Sequence, residues 1–259
     1  MTPVVRALLI ANVVAYFLEQ TMPGFFGAFQ FVPAYVLVRP WTVVTYMFLH
    51  AGLTHILFNM LGLYFFGPRV EERLGSRRFT TLYFLSGITG AVLSFLMAIL
   101  GYSAAAIVGA SGAVYGVMLA FAYYWPDTPI SIWGVIPVQA RLLVIIYTVM
   151  SLWGGLSGGG GVAHFAHLGG FAGAFLYLKW TERARTRFRS RATAPPAELP
   201  KSAAAYRNID RSKLHEINRA EVDRILDKIG AQGVASLTPQ ERLFLSNFVP
   251  PDDRTPPVQ

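Results

Sequence analysis

The groups in this chain that point to chemistry in apolar surroundings are a serine between glycines, a few histidines and the asparagine at position 59. A serine hydroxyl is a weak nucleophile until a base takes its proton. Histidine is the natural base near neutral pH. Ser111, in Gly109-Ala110-Ser111-Gly112, and His167, in Ala166-His167-Leu168-Gly169-Gly170, supply such a pair. His55 and Asn59 stand i, i+4, so on a helix both project from one face and offer donors to a developing oxyanion. Tyr115 follows Ser111 by four residues and occupies the same face one turn on. It either stacks on the His167 ring or simply packs. Gly109 and Gly112 let the chain turn sharply beside the serine and let a substrate backbone come close. A serine at a helix start also brings free N–H groups and the positive helix end to the reacting carbonyl, which is half of an oxyanion hole.

Other chemistries are excluded or poorly supported. The chain has no cysteine, so a thiol nucleophile, thiolate metal ligands and disulfides are ruled out. No His-Glu-x-x-His occurs. Apart from Glu19 at the end of the first apolar stretch, no acid falls inside one, which argues against a paired-carboxylate protease. His164 and His167, three apart, are metal-ligand types without an acid or cysteine nearby, and no metal or cofactor is expected. His50 is expected to be interfacial or structural.

These residues need elements to carry them. The chain is 54 % hydrophobic with a mean hydropathy of +0.44, too apolar for an ordinary soluble domain of 259 residues. Of its 14 acids, only Glu19, Glu71, Glu72 and Asp127 precede residue 181. A helix that crosses a bilayer needs roughly 20 mostly apolar residues. Six candidate spans follow: 5–22, 51–67, 78–100, 109–125, 140–155 and 162–179. The fold class is thus an all-α polytopic membrane protein, a six-helix bundle with a small helical tail. Segment 23–40, with Phe25, Phe26, Phe29 and Phe31 broken by glycine and proline, fits no span and reads as a loop in the outer interface.

Lys and Arg accumulate on the cytoplasmic side of membrane proteins. Arg6, the group Arg69, Arg73, Arg77 and Arg78, Arg141, and the run from Lys179 to Arg191 all fall on one side of a six-span arrangement. The opposite loops carry only Arg39. Both termini are then cytoplasmic, and the second, fourth and sixth spans run from outside inward. Their polar residues all lie in the first turns from the outer side, so Ser111, His167, His55 and Asn59 can meet at one depth. Polar groups in a bilayer are costly, which marks this cluster as functional. Gly112-x-x-x-Gly116 and Gly169-x-x-x-Gly173 are small-xxx-small patterns that let helix backbones come close.

The combined motifs resemble the rhomboid family of intramembrane serine proteases over about residues 1–180. His55-Ile-Leu-Phe-Asn59 resembles its His-x-x-x-Asn motif, and Gly67 with Glu71-Glu72-Arg73-Leu74-Gly75-Ser76 resembles the loop after its second helix. Gly109 to Gly112 resembles the nucleophile motif, Tyr115 the stacking tyrosine, and Ala166 to Gly170 the base motif. The resemblance implies a six-helix core with a water-filled cavity open to the outer side. It implies Ser111 as nucleophile and His167 as base, with His55, Asn59 and the Ser111 amide at the oxyanion. It further implies cleavage of membrane-anchored proteins in or near a transmembrane segment, with no cofactor. One departure is Trp41-Thr42, where the family often has Trp-Arg. Inactive relatives lack the serine or histidine, and this chain keeps both.

The expected domains are 1–180 in the membrane, a basic Pro-rich linker at 181–209, and a helical tail at 210–259. In the tail, Val222, Ile225, Leu226 and Ile229 form an apolar stripe on a helix over about 211–230, ended by Gly230 or Gly233. Thr238-Pro239-Gln240-Glu241 is a capping box that opens a second helix to about 247. The expected partners are transmembrane protein substrates and the lipid bilayer, with no nucleic acid; the expected location is a bacterial plasma membrane. The alternative is a non-catalytic scaffold that binds transmembrane helices.

Overall fold

The computed structural model describes residues 1–132, 135–158, 163–193, 209, 216–246 and 248. They form two compact units, Met1–Arg183 and Ala184–Gln259. The first unit contains the helices α1 (Pro3–Thr21), α2 (Leu53–Leu74), α3 (Ser76–Ile99), α4 (Ser111–Tyr124), α5 (Ala140–Leu156) and the start of α6 (His164–Thr193). Between α4 and α5 lies an antiparallel hairpin, β1 (Pro129–Ile132) and β2 (Ile136–Gln139). The tail holds α7 (Glu216–Gln232) and α8 (Pro239–Ser246).

The helix at the centre is α4. It packs on α2, α3 and α5. It is apolar on every side, and Ala113, Val117 and Ala120 are wholly buried. The helices around it turn large apolar residues outward: Phe17, Leu57, Ile145 and Trp180 are all exposed. Such a surface suits lipid rather than water. Among the described residues, α1 and α3 are long and apolar enough to cross a membrane. A third candidate is the segment Thr42–Phe48 with α2, a pair bent by 96°. Two further apolar helices, α4 and α5, are shorter.

Three element boundaries depart from expectation. Instead of stopping before Pro68, α2 runs on to Leu74. Proline removes one i→i−4 hydrogen bond, but tertiary contacts hold the last turns: Val70 is in the core and Glu71 is buried. Residues 181–193, expected as the start of a linker, continue α6. The rest of that linker, apart from Ile209, lies outside the described residues. The β1–β2 hairpin was not anticipated at all. Its signal is the period-two alternation around Ile130 and Val138. Segment 23–40 forms short helical turns, and Phe25, Phe26 and Phe29 cluster with ring centroids 5.1–6.0 Å apart.

Glu71 ties the two ends of the first helix pair together. Its carboxylate accepts the amides of Val4 (3.1 Å) and Val5 (2.9 Å) at the start of α1, and the Ser76 hydroxyl at 2.7 Å. These amides have no intrahelical partner, so a carboxylate there both caps the helix and complements its dipole. Glu71→Ala would leave those donors buried and unpaired. It is expected to lower stability by about 2 kcal/mol or more, read as a reduced thermal midpoint in detergent micelles.

In the tail, Val222, Ile225, Ile229, Leu237 and Leu245 form a separate small core. Gly233, at φ 78°, ends α7 and returns its N–H to the Ile229 carbonyl at 2.9 Å. The capping box is reciprocal: Glu241 N–H donates to Thr238 Oγ1 (3.2 Å), and Thr238 N–H donates to Glu241 Oε2 (2.8 Å). Lys228 at 2.9 Å and the Thr238 amide hold the Glu241 carboxyl down at about 2. An unfolded glutamate titrates near ~4.3, so this network stabilises above that value and is lost as pH falls toward 2. Amide exchange in α8, corrected for its intrinsic rate, is expected to stay level from about pH 7 to 5 and to quicken below about pH 4. Glu241→Gln is expected to remove that dependence.

Candidate active site

Ser111 is the first residue of α4, and the strand leading to it is anchored on both sides. Phe31 and Ile107 exchange backbone hydrogen bonds (3.1 and 2.8 Å), and the Gly109 amide donates to the Tyr46 carbonyl at 2.9 Å. Tyr46 is itself fixed, with its hydroxyl donating to the Gly87 carbonyl at 2.8 Å. At Gly109, φ is 120°, a conformation that L side chains rarely adopt. A Cβ there would also lie 2.6 Å from His55 Nε2, so only glycine lets the imidazole come this close. With α4 starting at Ser111, the Ser111 amide has no helical acceptor and stays available.

His55 and Asn59 project from the first turns of α2. The Ala51 amide donates to His55 Nδ1 at 3.3 Å. A neutral ring that accepts at Nδ1 carries its hydrogen on Nε2, the atom facing Gly109. Asn59 Nδ2 donates one hydrogen to the His55 carbonyl at 3.0 Å and keeps a second. His50 lies in the bend before α2, with its ring 5.1 Å from that of His55 and its amide bound to Glu19 Oε2 at 3.0 Å. His50 is thus buried beside the site, within the protein rather than at its surface.

His167, on α6, places Nε2 2.8 Å from Ser111 Oγ. The Tyr115 ring stacks on it at 4.1 Å with 18° between planes. Tyr115 is in turn braced by Phe171 at 5.0 Å and Tyr147 at 5.4 Å. Among the described residues Nδ1 has no hydrogen-bond partner, so aromatic packing, and no carboxylate, orients the imidazole. His164 sits one turn before it, ring centroids 6.3 Å apart. The described residues contain no group of three side chains suited to a metal ion.

Glycines bring these helices together. A Cβ on Gly170 would strike the Gly112 carbonyl, one on Gly116 would strike Ser86 Oγ, and one on Gly173 would strike Thr89 Oγ1. A Cβ on Gly90 would lie 2.7 Å from the Ala166 carbonyl. So α3, α4 and α6 meet backbone to backbone, as small residues permit. The sequence motifs pointed to Gly112, Gly116, Gly169 and Gly173. Tyr46 carries no sequence signal as a support, and Gly170 has only its place as the last residue of the His167 motif to mark its part.

Ser111, His167, His55, Asn59 and Tyr115 all line one cavity of about 1630 Å³. Fold and site together define a helical membrane protein with a serine and an imidazole paired in the wall of a large, partly open cavity. Residues 38–183 match the rhomboid domain, and residues 210–248 match a family of unknown function, DUF6576. RHOMBOID-like protein 1 of Arabidopsis thaliana is 38 % identical over 138 residues, 52 % of this chain and 33 % of that protein. Rhomboid-like protease 3 of Toxoplasma gondii is 30 % identical over 141 residues, 54 % of this chain and 51 % of that protein. Rhomboid protease GluP of Bacillus subtilis is 40 % identical over 83 residues, 32 % of this chain and 15 % of that protein. The chain therefore spans only about half, or less, of the length of these relatives. It belongs to the rhomboid family, integral membrane proteins that include intramembrane serine proteases.

A methyl group at position 170 would push α6 off α4 and separate the hydroxyl from the imidazole. Gly170→Ala is expected to cost about 1–3 kcal/mol of stability. It should also cut labelling of Ser111 by a fluorophosphonate probe at temperatures where the protein remains folded.

Proposed function

We propose that this protein is an intramembrane serine endopeptidase that cleaves membrane-anchored proteins in or near their transmembrane segment. The observation that carries this reading is the 2.8 Å approach of Ser111 Oγ to His167 Nε2 in the wall of the cavity. Ser111 is the nucleophile and His167 the general base. The Ser111 proton passes to Nε2 as Oγ bonds to the scissile carbonyl carbon. The oxyanion is met by His55 Nε2–H, the second Asn59 N–H and the Ser111 amide, donors fixed before the reaction begins. Collapse breaks the C–N bond, and His167 returns the proton to the leaving amine. Water then attacks the acyl ester with His167 again as base, releasing the acid and restoring Ser111.

The dyad works without an acid because stacking does the orienting. Tyr115 limits ring rotation, and its own neighbours limit Tyr115. In this reading α1 to α6 are six spans of the bilayer, both termini are cytoplasmic, and the cavity admits water from the outer side. The groove between α2 and α5, both of which pack on α4, gives a membrane segment lateral access to Ser111.

Ser111→Ala and His167→Ala are each expected to reduce cleavage of a single-span substrate in liposomes to background while keeping the wild-type thermal midpoint. Full cleavage by either variant would refute the assignment. A fluorophosphonate probe is expected to label the wild type at Ser111. Failure to label it, with binding of transmembrane peptides intact, would favour a non-catalytic scaffold.

A further inference from the structure

The cavity that holds Ser111 and His167 continues well past them. It follows one face of α4 through Val114 and Met118 to Phe121, and Pro129, Ile130 and Ser131 of β1 line it as well. Ser111 to Phe121 is ten residues of helix, so the two ends lie about 15 Å apart. Gly62, Phe65 and Phe66 of α2 line it on one side, and Leu143 and Tyr147 of α5 on the other. Most of the wall along this length is apolar.

The hairpin is built to hold its position. Its strands pair from Pro129↔Gln139 to Ile132↔Ile136. Ile130 and Val138, directly opposite each other, pack against the core of the unit. The Ala140 and Arg141 amides donate to the Thr128 and Pro126 carbonyls at 2.9 and 3.0 Å, and Arg141 bridges Asp127 at 3.2 Å. So β2 runs into α5 without slack, and β1 cannot withdraw without moving α5. By alternation Ile130, Ile136 and Val138 share one face, while Pro129, Ser131 and Pro137 share the other.

We propose that β1 closes the inner end of the substrate groove, and that Ile130 there receives the apolar stretch of a membrane-anchored polypeptide beyond the bond held at Ser111. The proposal rests on the reading of Ser111 as nucleophile. Its force comes from continuity: the reactive hydroxyl and β1 line a single cavity, which also runs the other way from Ser111 to Tyr102 and Gly158. An apolar segment with its bond at Ser111 has this apolar wall to follow. Polypeptide covers about 15 Å in roughly five residues when extended and ten when helical. The hairpin therefore selects for apolar character roughly five to ten residues past the scissile bond. Segments that are polar or end sooner forgo the contact.

The test uses the full-length Ser111→Ala protein in liposomes with a single-span polypeptide that the wild type cleaves. A benzophenone side chain is placed at successive positions about 2 to 14 past the bond, to cover the span just derived. Crosslinks to residues 129–131 that peak at about five to ten positions past the bond are expected. Crosslinks from those positions to α2 or α5 with none to β1 overturn the proposal. If the wild type cleaves no single-span polypeptide, or positions beside the bond never reach α4, the reading of Ser111 itself fails and this one with it. As a second measurement, Ile130→Ala is expected to raise KM for the single-span substrate about tenfold while leaving fluorophosphonate labelling of Ser111 unchanged. An equal fall in labelling assigns Ile130 to packing alone and overturns the inference.

Discussion

The site depends on one constraint: the backbones of α4 and α6 must touch. Ser111 begins one helix and His167 lies in the first turn of the other, so their side chains meet only if nothing intervenes between the helices. A Cβ on Gly170 would strike the Gly112 carbonyl, and one on Gly112 would press on the Ala166 carbonyl at 3.1 Å. In lipid, helices gain little from burying apolar surface against each other, and association relies on close packing. The seam that stabilises the bundle is thus the same seam that sets the hydrogen bond between hydroxyl and imidazole.

A second tier of contacts positions that seam. Tyr46 receives the Gly109 amide on its carbonyl and gives its hydroxyl to the Gly87 carbonyl. One buried residue therefore links the segment before α2, the approach to Ser111 and the middle of α3. Tyr115 does the corresponding work for His167 through its ring face. Both are aromatic residues with a polar tip, which can fill apolar space and still meet a directional demand.

Much of this was readable from residue types. The polar residues stand out because the apolar chain around them makes each one expensive, and their spacing places them on chosen helix faces. The glycine patterns announced close helices. The reach of α2 past Pro68 was not readable, because Glu71 and Val70 override a local breaker through contacts with distant elements. The hairpin's alternation is real but hard to read, because each strand has only four residues and lies between two apolar helices. Tyr46 was invisible as a support because its role lies in its backbone carbonyl and in a partner 41 residues away.

The Glu71 clasp has a bearing on how the molecule is made. Its carboxylate lies 66 residues downstream of the Val5 amide that it receives. During synthesis α1 leaves the ribosome long before its cap exists, so its first turn stays frayed until α2 has emerged and turned back alongside it. The N-terminal helix thus gains the hydrogen bonds of its first turn only once the second is in place beside it.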